Sequence, residues 1–187
     1  MKVPVKVSKR HVHLTEVTYK KLFGNRPLEV RNYLGNPEQF ASTATVALKW
    51  NNQIIERLRL VGPFRDYDQV ELSETDAKML GINPPKRRSG DLANSLPMVI
   101  CGPAGELTIP QCCILVIPHI HFSEAEAAEL NLKNQDTFKI FKDGLEILEA
   151  EAKVENIPKC ELHIDTDEEE KYNLHPGDEV EVYPCGK

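Results

Sequence analysis

The sequence predicts a mainly β fold with short helices, an α+β chain made of small barrels or curled sheets. Three observations carry this. Short alternating or β-branched runs recur along the 187 residues. Thirteen prolines and ten glycines cut the chain between those runs. Helical patterns are confined to brief stretches, unlike an alternating βαβ wind. The length fits one compact domain or two small ones.

Taken in order, strands are expected over 3–7, 43–50, 54–60, 98–101, 114–117, 138–141 and 179–183. Turn signals stand between them at Gly62-Pro63, Gly102-Pro103, Asp143-Gly144 and Pro176-Gly177-Asp178. With 41% hydrophobic and 28% charged residues the chain can bury a core. No run approaches the roughly 18 apolar residues that span a bilayer, so no membrane partner is expected. The first residues carry no apolar stretch with a cleavage site, so no signal peptide is expected. Five cysteines without Cys-x-x-Cys spacing read as buried small apolar side chains in a reducing compartment. A net charge of −6 weighs against a general nucleic-acid binder but leaves an anionic substrate open.

One pattern recurs. His11-Val12-His13-Leu14-Thr15-Glu16 and His119-Ile120-His121-Phe122-Ser123-Glu124 each precede a short helical stretch, as does Gln69-Val70-Glu71-Leu72-Ser73-Glu74. A weaker fourth copy is His163-Ile164-Asp165-Thr166-Asp167. Each is a strand end, then a Thr, Ser or Asp that caps a helix, then an acidic residue suited to the helix N-terminus. Aligned, His11, Gln69, His119 and His163 share one column, and His13, Glu71, His121 and Asp165 the next. His or carboxylate at matching strand ends points to a polar centre.

On a strand, residues i and i+2 face one side, so His11 and His13 can converge while Val12 enters the core. Two imidazoles so placed can chelate a divalent ion, with Glu71 and His163 as candidate third ligands. Ligands of this type suit zinc, with manganese, cobalt and iron also compatible. His175, in Leu-His-Pro-Gly-Asp, reads as a surface residue. Arg65, just after Gly62-Pro63, offers a planar fork of donors for phosphate or carboxylate. Lys86, Arg87 and Arg88 form a basic loop that could hold the phosphates of an extended ligand or simply be solvated.

These segments resemble the PduL-type phosphate propanoyltransferases (phosphotransacylases). The likeness is carried by 5–14, by Gly62-Pro63-x-Arg65 with Gln69-Val70-Glu71-Leu72-Ser73, and by Thr75-Asp76-Ala77 with Leu80-Gly81-Ile82. It continues through Arg88-Ser89-Gly90-Asp91, His119-Ile120-His121 and 163–168, in order over nearly the whole chain. The resemblance implies two small β-barrels capped by short helices, with an active site between them. Approximate halves are 1–85 and 86–187, with a crossover of the chain allowed. It also implies two zinc ions, one held by His11, His13 and Glu71, the other by His119, His121 and His163. Ser8 and Arg65 match positions that contact phosphate. Two residues depart from the family pattern: Pro118 stands where an arginine is common, removing a cation and a backbone donor, and Asn94 where glycine is usual.

The implied reaction exchanges phosphate with acyl-CoA, propanoyl or acetyl, giving acyl phosphate and CoA. No covalent nucleophile stands beside a base, which favours zinc-assisted direct transfer in a ternary complex. The rival readings are a metal-dependent hydrolase and a noncatalytic metal- or ligand-binding relative. A (β/α)₈ hydrolase barrel needs about 200 residues or more. Residence in a bacterial cytoplasm is expected, because no microcompartment-targeting extension precedes the first motif. A homo-oligomer is compatible with the sequence.

Overall fold

A computed structural model of the chain describes residues 1–35, 38–155, 157 and 160–185. Strand β1 (Lys2–Ser8) opens the chain, but it belongs to a unit of Met1–Ser8 with Ile117–Lys187. The other unit is Lys9–Val116. The chain divides at 8/9 and 116/117, whereas the sequence offered approximate halves meeting at 85/86 with a crossover allowed. The reason is strand closure, as the second unit makes plain.

The Lys9–Val116 unit contains β2 (His11–His13), α1 (Glu16–Phe23), β3 (Val30–Tyr33), β4 (Phe40–Trp50), β5 (Gln53–Gly62) and β6 (Gln69–Leu72). It continues with α2 (Glu74–Leu80), β7 (Lys86–Arg87), β8 (Leu96–Gly102) and β9 (Gly105–Val116). The pairing order β4-β5-β2-β6-β9 is closed by β8, which bonds both β4 and β9, making a six-stranded barrel. A cut at residue 85 would remove β8 and β9 and open that ring. β3 and β7 add to its outside. Leu14, Leu22, Leu48, Leu58, Leu60 and Ile100 fill the core without exposure. Each such burial stabilises by roughly 1.5–3 kcal/mol.

The remaining elements are β10 (His119–Ser123), α3 (Glu124–Glu129), β11 (Thr137–Lys142), β12 (Leu145–Glu155), β13 (Glu161–Asp165), α4 (Thr166–Tyr172) and β14 (Glu179–Pro184). With β1 they close a second six-stranded barrel, β1-β13-β10-β12-β11-β14. Val3, Ile120, Phe122, Ile140, Leu162 and Leu174 form its core. Three strands escaped the sequence-based expectation: β3, β7, whose residues were read as a basic loop, and β12. β12 reads Leu-Glu-Ile-Leu-Glu-Ala-Glu-Ala-Lys-Val-Glu, rich in helix formers, yet Ala150 and Ala152 are its buried barrel-facing residues. β3 is exposed at every position, so no alternation marks it.

All four repeats are strand–cap–helix units. Thr15, Ser73, Ser123 and Asp165 cap α1 to α4, each accepting a backbone N–H of the first turn. This corrects the fourth copy by two residues. With Asp165 as the cap, His163 falls beside Glu71, and Glu161 beside Gln69. Strand register agrees. β2 and β6 are antiparallel with His11 opposite Glu71 and His13 opposite Gln69. β10 and β13 are antiparallel with His119 opposite His163 and His121 opposite Glu161.

Candidate metal centres

In the Lys9–Val116 unit, His11 Nδ1 lies 2.8 Å from the Lys9 carbonyl and His13 Nδ1 3.1 Å from the Val61 carbonyl. A carbonyl only accepts, so both Nδ1 atoms carry protons, and in the neutral ring Nε2 is the atom with the lone pair. Those Nε2 atoms face each other at 3.2 Å. Glu71 closes the group, its Oε2 3.3 Å from His11 Nε2 and its Oε1 3.9 Å from His13 Nε2. Burial, and then the neighbouring His11, push His13 down to about 3, so its imidazole is neutral. Two Nε2 atoms and a carboxylate thus converge. Two nitrogens bound to one tetrahedral zinc would stand about 3.3 Å apart. The donor set fits a divalent ion.

The other unit repeats the geometry. His119 Nδ1 lies 3.0 Å from the Ile117 carbonyl, and His119 Nε2 is 3.1 Å from His121 Nε2. His121 Nδ1 stands 3.0 Å from Glu155 Oε2 in an ion-pair contact, and both atoms are buried without a hydrogen-bond partner. His163 Nε2 donates to Glu161 Oε1 at 2.8 Å. Burial, followed by the nearby histidines, pushes His119 down to about 3. Burial outweighs the Glu161 hydrogen bond at His163, leaving it at about 4. Burial alone would push the Glu155 and Glu161 carboxyls up. The His121 contact and Lys153 hold Glu155 well below the usual range, and His163 with Lys6 holds Glu161 at about 2. In each cluster the ligand atoms lie within 4.8 Å of one another.

Other expected residues fall as follows. The Arg65 N–H donates to the Leu14 carbonyl at 3.0 Å, fixing its backbone beside the end of β2. Its charge reaches His13, and its Nε is buried without a hydrogen-bond partner. Ser8 ends β1 in the other unit, opposite Asp165 and two residues beyond Lys6, which lies opposite His163. Lys86 pairs with Glu74 at 2.7 Å, while Arg87 Nε lies 3.8 Å from Asp91. Arg88 accepts the Asp91 N–H through its carbonyl. The Arg10 guanidinium, at the position matching Pro118, is held 2.6 Å from Asp76 of α2. Pro118 itself accepts the Glu151 N–H. His175 is exposed, as expected.

Several contributors were missed. Asp68 holds the start of α1 through Thr15 N–H and Thr18 Oγ1 at 2.7 and 2.6 Å. Ser89, on the basic loop, hydrogen-bonds both Gln69 and Glu71. Glu155 reaches His121 because β12 runs parallel to β10, pairing Ser123 with Glu155. That proximity has no local sequence signal. Glu161 did have one: aligning the fourth repeat on its cap rather than on its histidine would have found it.

Comparison with known proteins bears on what such clusters do. The model of the family described as phosphate propanoyltransferase matches residues 4–175. The chain belongs to the phosphate propanoyltransferase family. The phosphate propanoyltransferase of Shewanella putrefaciens is 34% identical over 182 residues, covering 95% of this chain and 86% of its own. That of Salmonella typhimurium is 35% identical over 170 residues, covering 89% and 81%. The Lachnoclostridium phytofermentans relative is 36% identical over 172 residues, covering 89% and 80%. Membership makes the chain an enzyme of the phosphate acyltransferase class. Among the described residues, no helix is long and apolar enough to cross a membrane.

Proposed function

We propose that the enzyme interconverts a short-chain acyl-CoA, propanoyl or acetyl, and phosphate with the acyl phosphate and CoA. The observation that carries the reading is the pair of facing Nε2 atoms in each unit, 3.2 and 3.1 Å apart, closed by a third ligand. His11, His13 and Glu71 would hold one zinc ion, and His119, His121 and His163 the other. Zinc bound there supplies Lewis acidity, which lowers a thiol's pKa and polarises a thioester carbonyl.

The chain's own groups do the rest. Arg65 brings a cation beside the His11 cluster, with a buried Nε whose hydrogen-bonding capacity is unspent in the protein. Such a donor fits a phosphate oxygen. Ser8 would offer a hydroxyl to phosphate from the end of β1. Lys86, Arg87 and Arg88 would meet the phosphates of CoA, Lys86 and Arg87 by exchanging the carboxylates they now face. Phosphate oxygen forms the new bond to the acyl carbon as the carbon–sulfur bond breaks. The sulfur leaves with the electron pair, and the proton released by phosphate passes to the thiolate. No side chain is acylated on the way.

The test is an acyl-phosphate assay with and without CoA. Thioester should accumulate in step with phosphate, only when CoA is present, and His119→Ala should abolish it. Phosphate release that depends on water and ignores CoA would make the enzyme a hydrolase. Zinc binding without any thioester would make it a binding module.

A further inference from the structure

The two clusters share a residue that is not a ligand. Gln69 and Glu161 each lie two positions before the third ligand and opposite the second histidine of the pair. Each also bonds directly to that third ligand. We propose that Gln69 and Glu161 are positioning residues that select which atom of the third ligand meets the metal: Oε2 of Glu71 and Nδ1 of His163. The proposal rests on the reading that both clusters hold an ion.

The hydrogen bonds leave little freedom. Gln69 is fully buried, and its Oε1 accepts the Gly90 N–H at 2.7 Å. That fixes the amide, so its Nε2 must point the other way, where it meets Glu71 Oε1 at 2.5 Å and Ser89 Oγ at 2.8 Å. Ser89 Oγ also reaches Glu71 Oε1, at 3.2 Å. One carboxylate oxygen is thereby occupied by two donors, and the other is turned towards His11 Nε2. Gly90 permits this docking, because its φ of +91° is rarely adopted by other residues.

In the second cluster the polarity is reversed. Glu161 Oε1 accepts from His163 Nε2 and, at 3.0 Å, from Lys6 Nζ. An ionised carboxylate only accepts, so Nε2 carries the proton and Nδ1 keeps the lone pair. His11 and His119 do the opposite, donating Nδ1–H to carbonyls and offering Nε2. One cluster therefore pairs an anionic third ligand with a neutral amide, and the other a neutral ligand with an anion. A carboxylate behind a ligating imidazole fixes its tautomer and raises its basicity, and losing such a partner typically lowers metal affinity about 10–100-fold.

Zinc affinity by chelator competition, together with long-range 1H–15N correlation spectra of the zinc-loaded full chain, tests this. In the unaltered chain His163 should show protonated Nε2 and bound Nδ1, with the other ligand histidines reversed. Glu161→Ala should weaken one site about 10–100-fold and leave the other unchanged. Glu161→Gln, which keeps an acceptor, should recover part of the loss. Gln69→Ala should weaken only the His11 site, and the milder Ser89→Ala should do so less, serving if Gln69→Ala fails to fold. Two zinc ions bound with Glu161→Ala unaffected, or His163 bound through Nε2, would overturn the proposal alone. An unaltered chain that binds no zinc would overturn the underlying reading as well.

Discussion

His11 and His119 stand in matching surroundings: each gives its Nδ1 proton to a carbonyl two residues back and turns Nε2 towards a second histidine. Replacing His163 by alanine should therefore reduce bound zinc from two ions per chain to one, measured by elemental analysis after gel filtration. Retention of both ions would remove His163 from the ligand set. Cysteine chemistry should be quiet. Cys112 and Cys113 are fully buried, and burial raises both thiols, Cys113 to about 12. Neutral-pH alkylation of the folded chain, mapped by mass spectrometry, should spare both; rapid labelling of either contradicts their burial. At this scale much was legible. Alternation on a strand brought His11 to His13 and His119 to His121, and the caps Thr15, Ser73 and Ser123 stand where expected, while that of α4 lies two residues earlier, at Asp165. Glu155 was not legible, because its approach to His121 depends on strands far apart in sequence.

Each repeat is held by its cap and by contacts to neighbouring strands. Ser123 and Glu126 form a reciprocal capping box at α3, so Ser123→Ala should lower stability by about 1 kcal/mol in denaturant titrations. Unchanged stability would mean the cap is already satisfied by solvent. Gly102, at the end of β8, sits against α1: a Cβ there would lie 2.5 Å from the Leu22 carbonyl oxygen, which also accepts the Ala104 N–H. Gly102→Ala should cost about 1–3 kcal/mol, since backbone must move to admit it. Thermal unfolding indistinguishable from the parent would contradict that packing. Most strands were visible from alternation and turns, and the helices from their caps. β12 was hidden by helix-forming composition and β3 by its full exposure. Local preference loses in both to pairing with neighbouring strands.

For the whole molecule, the duplicated plan is the organising fact: among the described residues, each unit has a six-stranded barrel, two strand–cap–helix repeats and one three-ligand cluster. The sequence allowed a crossover but could not show that β1 makes it, because a parallel partner such as β13 leaves no mark on either strand. The proposed chemistry rests on the clusters rather than on the barrels, which alone specify no reaction. The most direct measurement is CoA-dependent release of phosphate from propanoyl phosphate, run on the zinc-loaded, chelated and zinc-restored enzyme. The account predicts thioester formation that chelation abolishes and zinc restores. Full turnover in the chelated enzyme, with zinc shown to be absent, would contradict it.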